Sequence, residues 1–143
     1  MNPPRLDDQL CFALYSASRA VTAVYRPLLD ELNLTYPQYL VLLVLWEDGT
    51  TSVTRLGERL HLDSGTLSPL LKRLEATGYI TRERSAEDER RVDVALTPAG
   101  SRLQRRASCI PEKILASSNL REDEAVDLRG ALRTLTDRLV ATN

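Results

Sequence analysis

Near the start of the chain Cys11, Tyr15, Ser18, Thr22 and Tyr25 follow one another at steps of four, three, four and three. That spacing places all five on one stripe of an α-helix. A thiolate is a nucleophile, and a phenol is a hydrogen-bond donor able to hold it. Cys11 and Tyr25 stand about 21 Å apart along a straight helix rising about 1.5 Å per residue, so they cannot meet within one chain. If the helix packs antiparallel on a symmetry mate, Cys11 of one copy reaches Tyr25 of the other. The thiol's acidity is open: a helix N-terminus lowers its pKa, whereas Asp7 and Asp8 oppose ionisation. A lone cysteine among leucines is most often an inert core residue, and that reading stands beside the reactive one.

A second constellation lies in residues 63 to 100. Asp63 is an N-cap, and Leu67, Leu70, Leu71 and Leu74 at i, i+3, i+4 and i+7 form one apolar stripe closed by Gly78. The other face offers Ser64, Gly65, Thr66 and Ser68, then Lys72, Arg73 and Glu75. Small polar residues at a helix N-terminus allow close approach to phosphates and base edges. Pro69 lies beyond the first turn and predicts some irregularity. Upstream, Ser52 caps a short helix with Val53, Leu56 and Leu60 on one side, and only His61 and Leu62 separate the two helices. Downstream, Ile80 to Arg84 and Val92 to Leu96 alternate as strands around a polar loop, raising Arg82, Arg84, Arg90 and Arg91 as a basic wing. Thr97 and Pro98 restart a helix as N-cap and N1. The order is that of a winged helix-turn-helix, although polar helix faces and charged hairpin tips are ordinarily just solvated.

Composition sets limits. With 143 residues, 43% hydrophobic and 27% charged, the chain is long enough for one domain with a real core. A net charge of −1 gives no broad positive field, so nucleic-acid binding must rest on a few placed arginines. His61 is the one histidine, which leaves metal sites and histidine-based triads almost nothing to draw on; no metal and no cofactor are expected. Cys11 and Cys109 form no CxxC, so a structural disulfide is not expected. The acidic start MNPPRLDDQL does not read as a signal peptide and no apolar run approaches a membrane span, so a cytoplasmic protein is expected.

The elements that must position these groups are helical. Leu6 to Leu32 reads as largely helical, with Pro27 expected either to kink it or to restart a turn. Thr35 caps a helix through YLVLLVLW to Glu47 that is apolar almost all round and belongs at the centre. Leu103, Ala107, Ile110 and Ile114 mark one helix with a bend at Pro111. Ala125, Leu128, Leu132, Leu135 and Leu139 form a seam in steps of three and four that invites a partner chain. The fold class is therefore mainly α with a small β-hairpin wing. Residues 1–36 and 98–143 form a helical dimerisation region and 37–97 the winged helix-turn-helix, in one structural domain overall. A two-fold dimer presents two readers about one helical turn apart, which fits palindromic DNA.

QLCFALY at 9–15, LTYPQYLVLLVLWE at 34–47, LDSGTLSPLLKRLE at 62–75 and EDERR at 87–91 together resemble the organic-hydroperoxide-sensing OhrR subgroup of the MarR repressors. The resemblance covers nearly the whole chain and is weakest after about residue 117. It implies a homodimeric, non-enzymatic repressor of operator DNA, with Cys11 the peroxide-reactive residue. It further implies that Tyr25 and Tyr36 of the partner subunit hydrogen-bond the thiolate, with Tyr15 nearby. The helix from Asp63 would enter the major groove, and Arg90, braced by Asp88, the minor groove. Two-cysteine members place a resolving cysteine where this chain has Ser117, Ser118 and Asn119, so the implied scheme has one cysteine, capped by a small thiol as a mixed disulfide. The rivals are a MarR-type repressor released by a small aromatic ligand and a thiol peroxidase.

Overall fold

A computed structural model describes residues 2–142 and divides the chain into two compact units, one running to Ser108 and one beginning at Cys109. The first holds α1 (Leu10–Asp30), α2 (Tyr36–Asp48), β1 (Thr51–Ser52), α3 (Val53–Leu60), α4 (Ser64–Thr77), β2 (Ile80–Arg84), β3 (Val92–Leu96) and α5 (Pro98–Ala107). The second holds α6 (Ile110–Ser118) and α7 (Glu122–Thr142). No described helix is long and apolar enough to cross a membrane.

α2 is the axis of the first unit. Thr35 caps it through the N–H of Gln38, and the Gln38 side chain accepts the N–H of Thr35 in return, a reciprocal capping box. Because the helix is apolar on nearly every side, Tyr39, Val41, Leu42, Val44 and Leu45 are all buried. Leu56 of α3, Leu67, Leu71 and Leu74 of α4, Ile80, Val94 and Leu103 complete the core. Each such side chain contributes about 1.5–3 kcal/mol on leaving water. Of the expected α4 stripe, Leu70 is only partly buried, and the helix runs unbroken through Pro69.

The wing strands span the expected residues and pair antiparallel, Ile80 opposite Leu96 and Arg84 opposite Val92. A third strand escapes sequence reading because it is two residues long: Thr51 and Ser52 pair with Val94 and Asp93, giving the order β1-β3-β2. This bridge fixes the start of α3 to the returning wing strand.

The stretch from Leu6 to Leu32 is largely helical, as expected, in two pieces: a 3-10 turn at Leu6–Asp8 precedes α1, which ends at Asp30 where Leu32 and Leu34 N–H groups both donate to Leu29 O and Asn33 turns left-handed at φ 57°. Pro27 does not break α1; the carbonyl it leaves free, that of Ala23, belongs to an exposed residue that water can satisfy. The helix expected through Leu103 to Ile114 is two, α5 and α6, parted at Ser108 and Cys109. Pro111 has no N–H for the Ala107 carbonyl, so it sits in the opening turn of α6, where that loss costs nothing.

In the second unit Asn119 closes α6 in the left-handed region, and the Arg121 N–H donates to Glu124 at the start of α7. α7 has no buried residue: Leu128 is 50% exposed, Leu132 38% and Leu139 57%. The expected seam is formed and uncovered in a single copy. On α1, Leu10, Phe12, Val21 and Val24 are likewise exposed.

Candidate functional site

Cys11 is the second residue of α1 and is exposed, its helix starting without a side-chain cap from Gln9. One turn on, the Arg19 guanidinium lies 5.5 Å from the centre of the exposed Tyr15 ring. Thr22 turns its hydroxyl inward to donate to Ser18 O at 2.8 Å, so it presents no free donor along the stripe. Cys11 and the tyrosines at the far end of α1 remain apart in one chain, as the helix rise requires.

Those tyrosines form a cluster. Tyr25 from α1 and Tyr36 from the first turn of α2 have ring centroids 4.8 Å apart. The capping box at Thr35 sets Tyr36 there. Sequence reading missed the next two members, Tyr39 at 5.9 Å from Tyr25 and Trp46 at 6.3 Å from Tyr39. Their spacing from Tyr36, three and ten residues on, is a helical-face signal that was available. Burial, then the neighbouring Tyr36 and Tyr39, push the Tyr25 phenol up to about 12, and burial raises Tyr36 as well. Both phenols keep their protons at neutral pH and are donors. A cavity of about 220 Å³ beside Tyr36 is lined by Thr22, Arg26, Leu29, Leu34 and Pro37 among others.

The helix-turn-helix face is built on a tight joint. His61 ends α3 in the left-handed region, Leu62 N–H donates to Gly57 O at 3.0 Å, and a Cβ on Gly57 would come 2.8 Å from the Leu62 carbonyl oxygen. At the α2 end the Arg59 guanidinium forks to Asp48 at 2.6 Å and Glu47 at 3.1 Å, fastening α3 to α2. Asp63 accepts the Thr66 N–H at 2.7 Å, which holds its carboxyl below the usual range and occupies it as a cap. Ser64, Gly65, Thr66, Ser68, Lys72 and Arg73 are exposed on α4, and among the described residues neither cation makes an ion pair.

The wing arginines divide by task. Arg82 is drawn to α4, its backbone N–H donating to Glu75 at 3.1 Å and its guanidinium to the same carboxylate at 3.2 Å. Its Nε is buried without a partner. Arg84 donates to Glu89 O at 2.9 Å across the loop, and Arg91 pairs with Asp93 at 2.7 Å. Asp88 accepts the N–H of Arg90 at 3.0 Å through its side chain and that of Arg91 at 3.0 Å through its carbonyl. The tip is thereby folded, and Arg90 is exposed with no side-chain partner among the described residues. Among the described residues no cluster of three or more His, Cys, Asp or Glu could hold a metal ion.

Comparison with known proteins agrees with this geometry. Residues 23–106 match the family model of the transcriptional regulators SarA/Rot. The organic hydroperoxide resistance transcriptional regulator of Bacillus subtilis is 52% identical over 139 residues, 97% of this chain and 95% of that protein. Reduced AbfR bound to DNA superposes with a TM-score of 0.78 at 39% identity, covering 95% of each chain. A disulfide form of AbfR superposes with a TM-score of 0.67 at 40% identity, covering 92% of this chain and 93% of that one.

Proposed function

The chain belongs to the organic-hydroperoxide-sensing subgroup of MarR-type transcriptional regulators, and we propose that it is a homodimeric repressor that lets go of palindromic operator DNA when Cys11 is oxidised. The observation that carries this reading is the pairing of two protonated phenols, Tyr25 and Tyr36, with rings 4.8 Å apart, at the end of α1 opposite an exposed Cys11. Antiparallel packing of α1 on its mate brings the thiolate of one subunit to the phenols of the other. The exposed apolar stripes of α1 and α7 are the surfaces that such an association buries.

An organic hydroperoxide approaches through the cavity beside Tyr36. The Cys11 thiolate attacks the terminal oxygen, the O–O bond breaks, and sulfur is oxidised to sulfenic acid while alkoxide leaves and takes a proton from solvent. A small thiol then condenses with the sulfenic acid, forming an S–S bond and releasing water. The first step removes the anion that the phenols held, and the second adds bulk. Each oxidation event consumes one sulfur, so the protein is a sensor and not an enzyme. It acts in the cytoplasm on duplex DNA.

On the DNA, α4 enters the major groove with Ser64, Gly65, Thr66 and Ser68 foremost, while Lys72 and Arg73 approach phosphates and Arg90, braced by Asp88, enters the minor groove. Arg82, Arg84 and Asp63 shape this surface from within.

The test is operator binding before and after hydroperoxide, with the mass of the Cys11 adduct. Wild type should release and Cys11→Ser should bind and hold. Release of the Cys11→Ser variant by hydroperoxide overturns the sensing role. Release of the reduced protein by an aromatic ligand, or sustained peroxide turnover with a thiol reductant, favours the rival readings.

A further inference from the structure

The exit turn of α1 and the root of the wing meet at Tyr79. Its phenol is partly buried and donates to the Leu32 carbonyl at 3.1 Å. Leu32 lies in the short turn between α1, which carries Cys11 and Tyr25, and α2, which carries Tyr36. The backbone of Tyr79 is held from the other side. Its carbonyl accepts the Thr97 N–H at 3.0 Å, its own N–H donates to Leu74 O at 3.1 Å at the end of α4, and Ile80 next along begins β2. The first turn of α5 closes on the same carbonyl so tightly that a Cβ on Gly100 would stand 2.1 Å from it.

One residue therefore has its main chain fixed to the last turn of α4, to the return of the wing and to α5, and its side chain fixed to the end of α1. A shift of the α1 exit turn has two outcomes here. Either the phenol follows and moves the base of α4 and the wing, or the hydrogen bond is lost. In both cases the free energy of the bond differs between the two positions of α1, and such a difference is what couples distant sites.

We propose that Tyr79 is a positioning residue that couples oxidation of Cys11 to the DNA-reading face, through its hydrogen bond to Leu32. This rests on the redox-repressor reading above. Tyr79 touches neither peroxide nor thiol, and it follows Gly78 at the foot of the reading helix, away from the exposed N-terminal turn of α4. Its contribution is to the ratio of affinities in the two redox states. A hydrogen bond made in one state only changes that ratio by a factor of about two to ten per subunit.

The experiment uses full-length Tyr79→Phe beside wild type. Fluorescence anisotropy with a palindromic operator duplex is recorded for the reduced protein and after tert-butyl hydroperoxide with a small thiol, with oxidation of Cys11 followed by mass. The expected result is unchanged Cys11 oxidation, reduced-state affinity within about twofold of wild type, and a reduced-to-oxidised affinity ratio smaller by at least about threefold. An unchanged ratio overturns the proposal. A purely structural hydroxyl would lower the melting temperature and both affinities in proportion, leaving the ratio alone, and that outcome overturns it too. Amide hydrogen exchange in the wild type gives a second arm that needs no variant: oxidation should alter protection at Leu32 to Leu34 and at Tyr79 to Arg82 together, and a change confined to α1 overturns the coupling. Wild-type protein that keeps its operator after complete Cys11 oxidation instead overturns the repressor reading.

Discussion

Glu75 and Arg82 are joined twice, one carboxylate oxygen taking the Arg82 backbone N–H at 3.1 Å and the other its guanidinium at 3.2 Å. The pair sits between α4 and the first wing strand, so it sets the angle between the two parts proposed to meet DNA. Arg82 holds the Glu75 carboxyl below the usual carboxylate range. A folded pKa below the unfolded one stabilises the fold above the unfolded value, and that stability is lost as pH falls through the folded value. Acid unfolding of wild type should therefore show a loss below about pH 4 that is smaller in Glu75→Gln. The same variant should bind operator more weakly at neutral pH, and equal melting and equal affinity would show the clamp to be idle.

Arg90→Ala should weaken operator binding across all sequences and lower the slope of log affinity against log salt by about one per subunit, without changing the melting temperature. Arg84→Ala should do the reverse in part. Its guanidinium bonds Glu89 O inside the wing loop, so its loss loosens the tip and raises protease cleavage between Ser85 and Arg91. A salt slope that falls equally in both variants would return Arg84 to the contact surface.

The reading helix, its Asp63 cap, the wing strands and the Thr97–Pro98 restart were all legible in the sequence, because period, cap and turn residues agreed in each. So was the α7 seam. The two-residue β1 was not, since a strand so short has no period and exists only through its pairing with Val94 and Asp93. The split at Pro111 read as a bend because the apolar spacing of Leu103, Ala107, Ile110 and Ile114 carries across the break. For the site, helical spacing named Cys11 and Tyr25 and suggested their meeting across two copies, and the resemblance added Tyr36. What no residue type announced was that Arg82 spends its charge on Glu75 of α4 and Arg84 on the Glu89 carbonyl within the wing loop, because an arginine's partner is a matter of tertiary geometry. The close approach at Gly57 was open to inference from a glycine standing inside a helix.

Glycine positions offer a paired test of that packing. Gly57→Ala places a methyl 2.8 Å from the Leu62 carbonyl oxygen, a backbone atom that cannot swing aside. The helix-turn-helix joint must open, at a cost of about 1–3 kcal/mol. Gly130→Ala in α7 meets nothing within 4 Å and should stabilise by about 0.5–1 kcal/mol through helix propensity. Thermal or urea unfolding of the two variants should move in opposite directions, and a neutral Gly57→Ala would remove the close approach from the account.

The α7 seam can be tested by charge. Leu132→Glu leaves a single copy's burial nearly unchanged, since Leu132 is already 38% exposed, but it sets two carboxylates into any surface built from that seam. Sedimentation should show a shift from dimer to monomer and operator binding should fall with it, because one reader alone contacts one half-site. An intact dimer carrying this substitution would place the association elsewhere.

Tyr25 supplies the last prediction, at alkaline pH. Its phenol is raised to about 12 by burial first and by Tyr36 and Tyr39 second. Between the unfolded value of about 10 and that folded value the unfolded chain has lost its proton while the folded one retains it, so stability falls as pH rises through this window and is complete below it. Tyr25→Phe removes the titrating group and should flatten that part of the pH–stability curve relative to wild type. The functional corollary has the same origin: a phenol that resists ionisation remains a donor throughout the physiological range, so Tyr25→Phe should weaken the reduced protein's operator grip at pH 6 and at pH 9, and any pH dependence of that weakening belongs to the acceptor and not to the phenol. Equal operator grip in Tyr25→Phe and wild type across that range would remove Tyr25 from the switch.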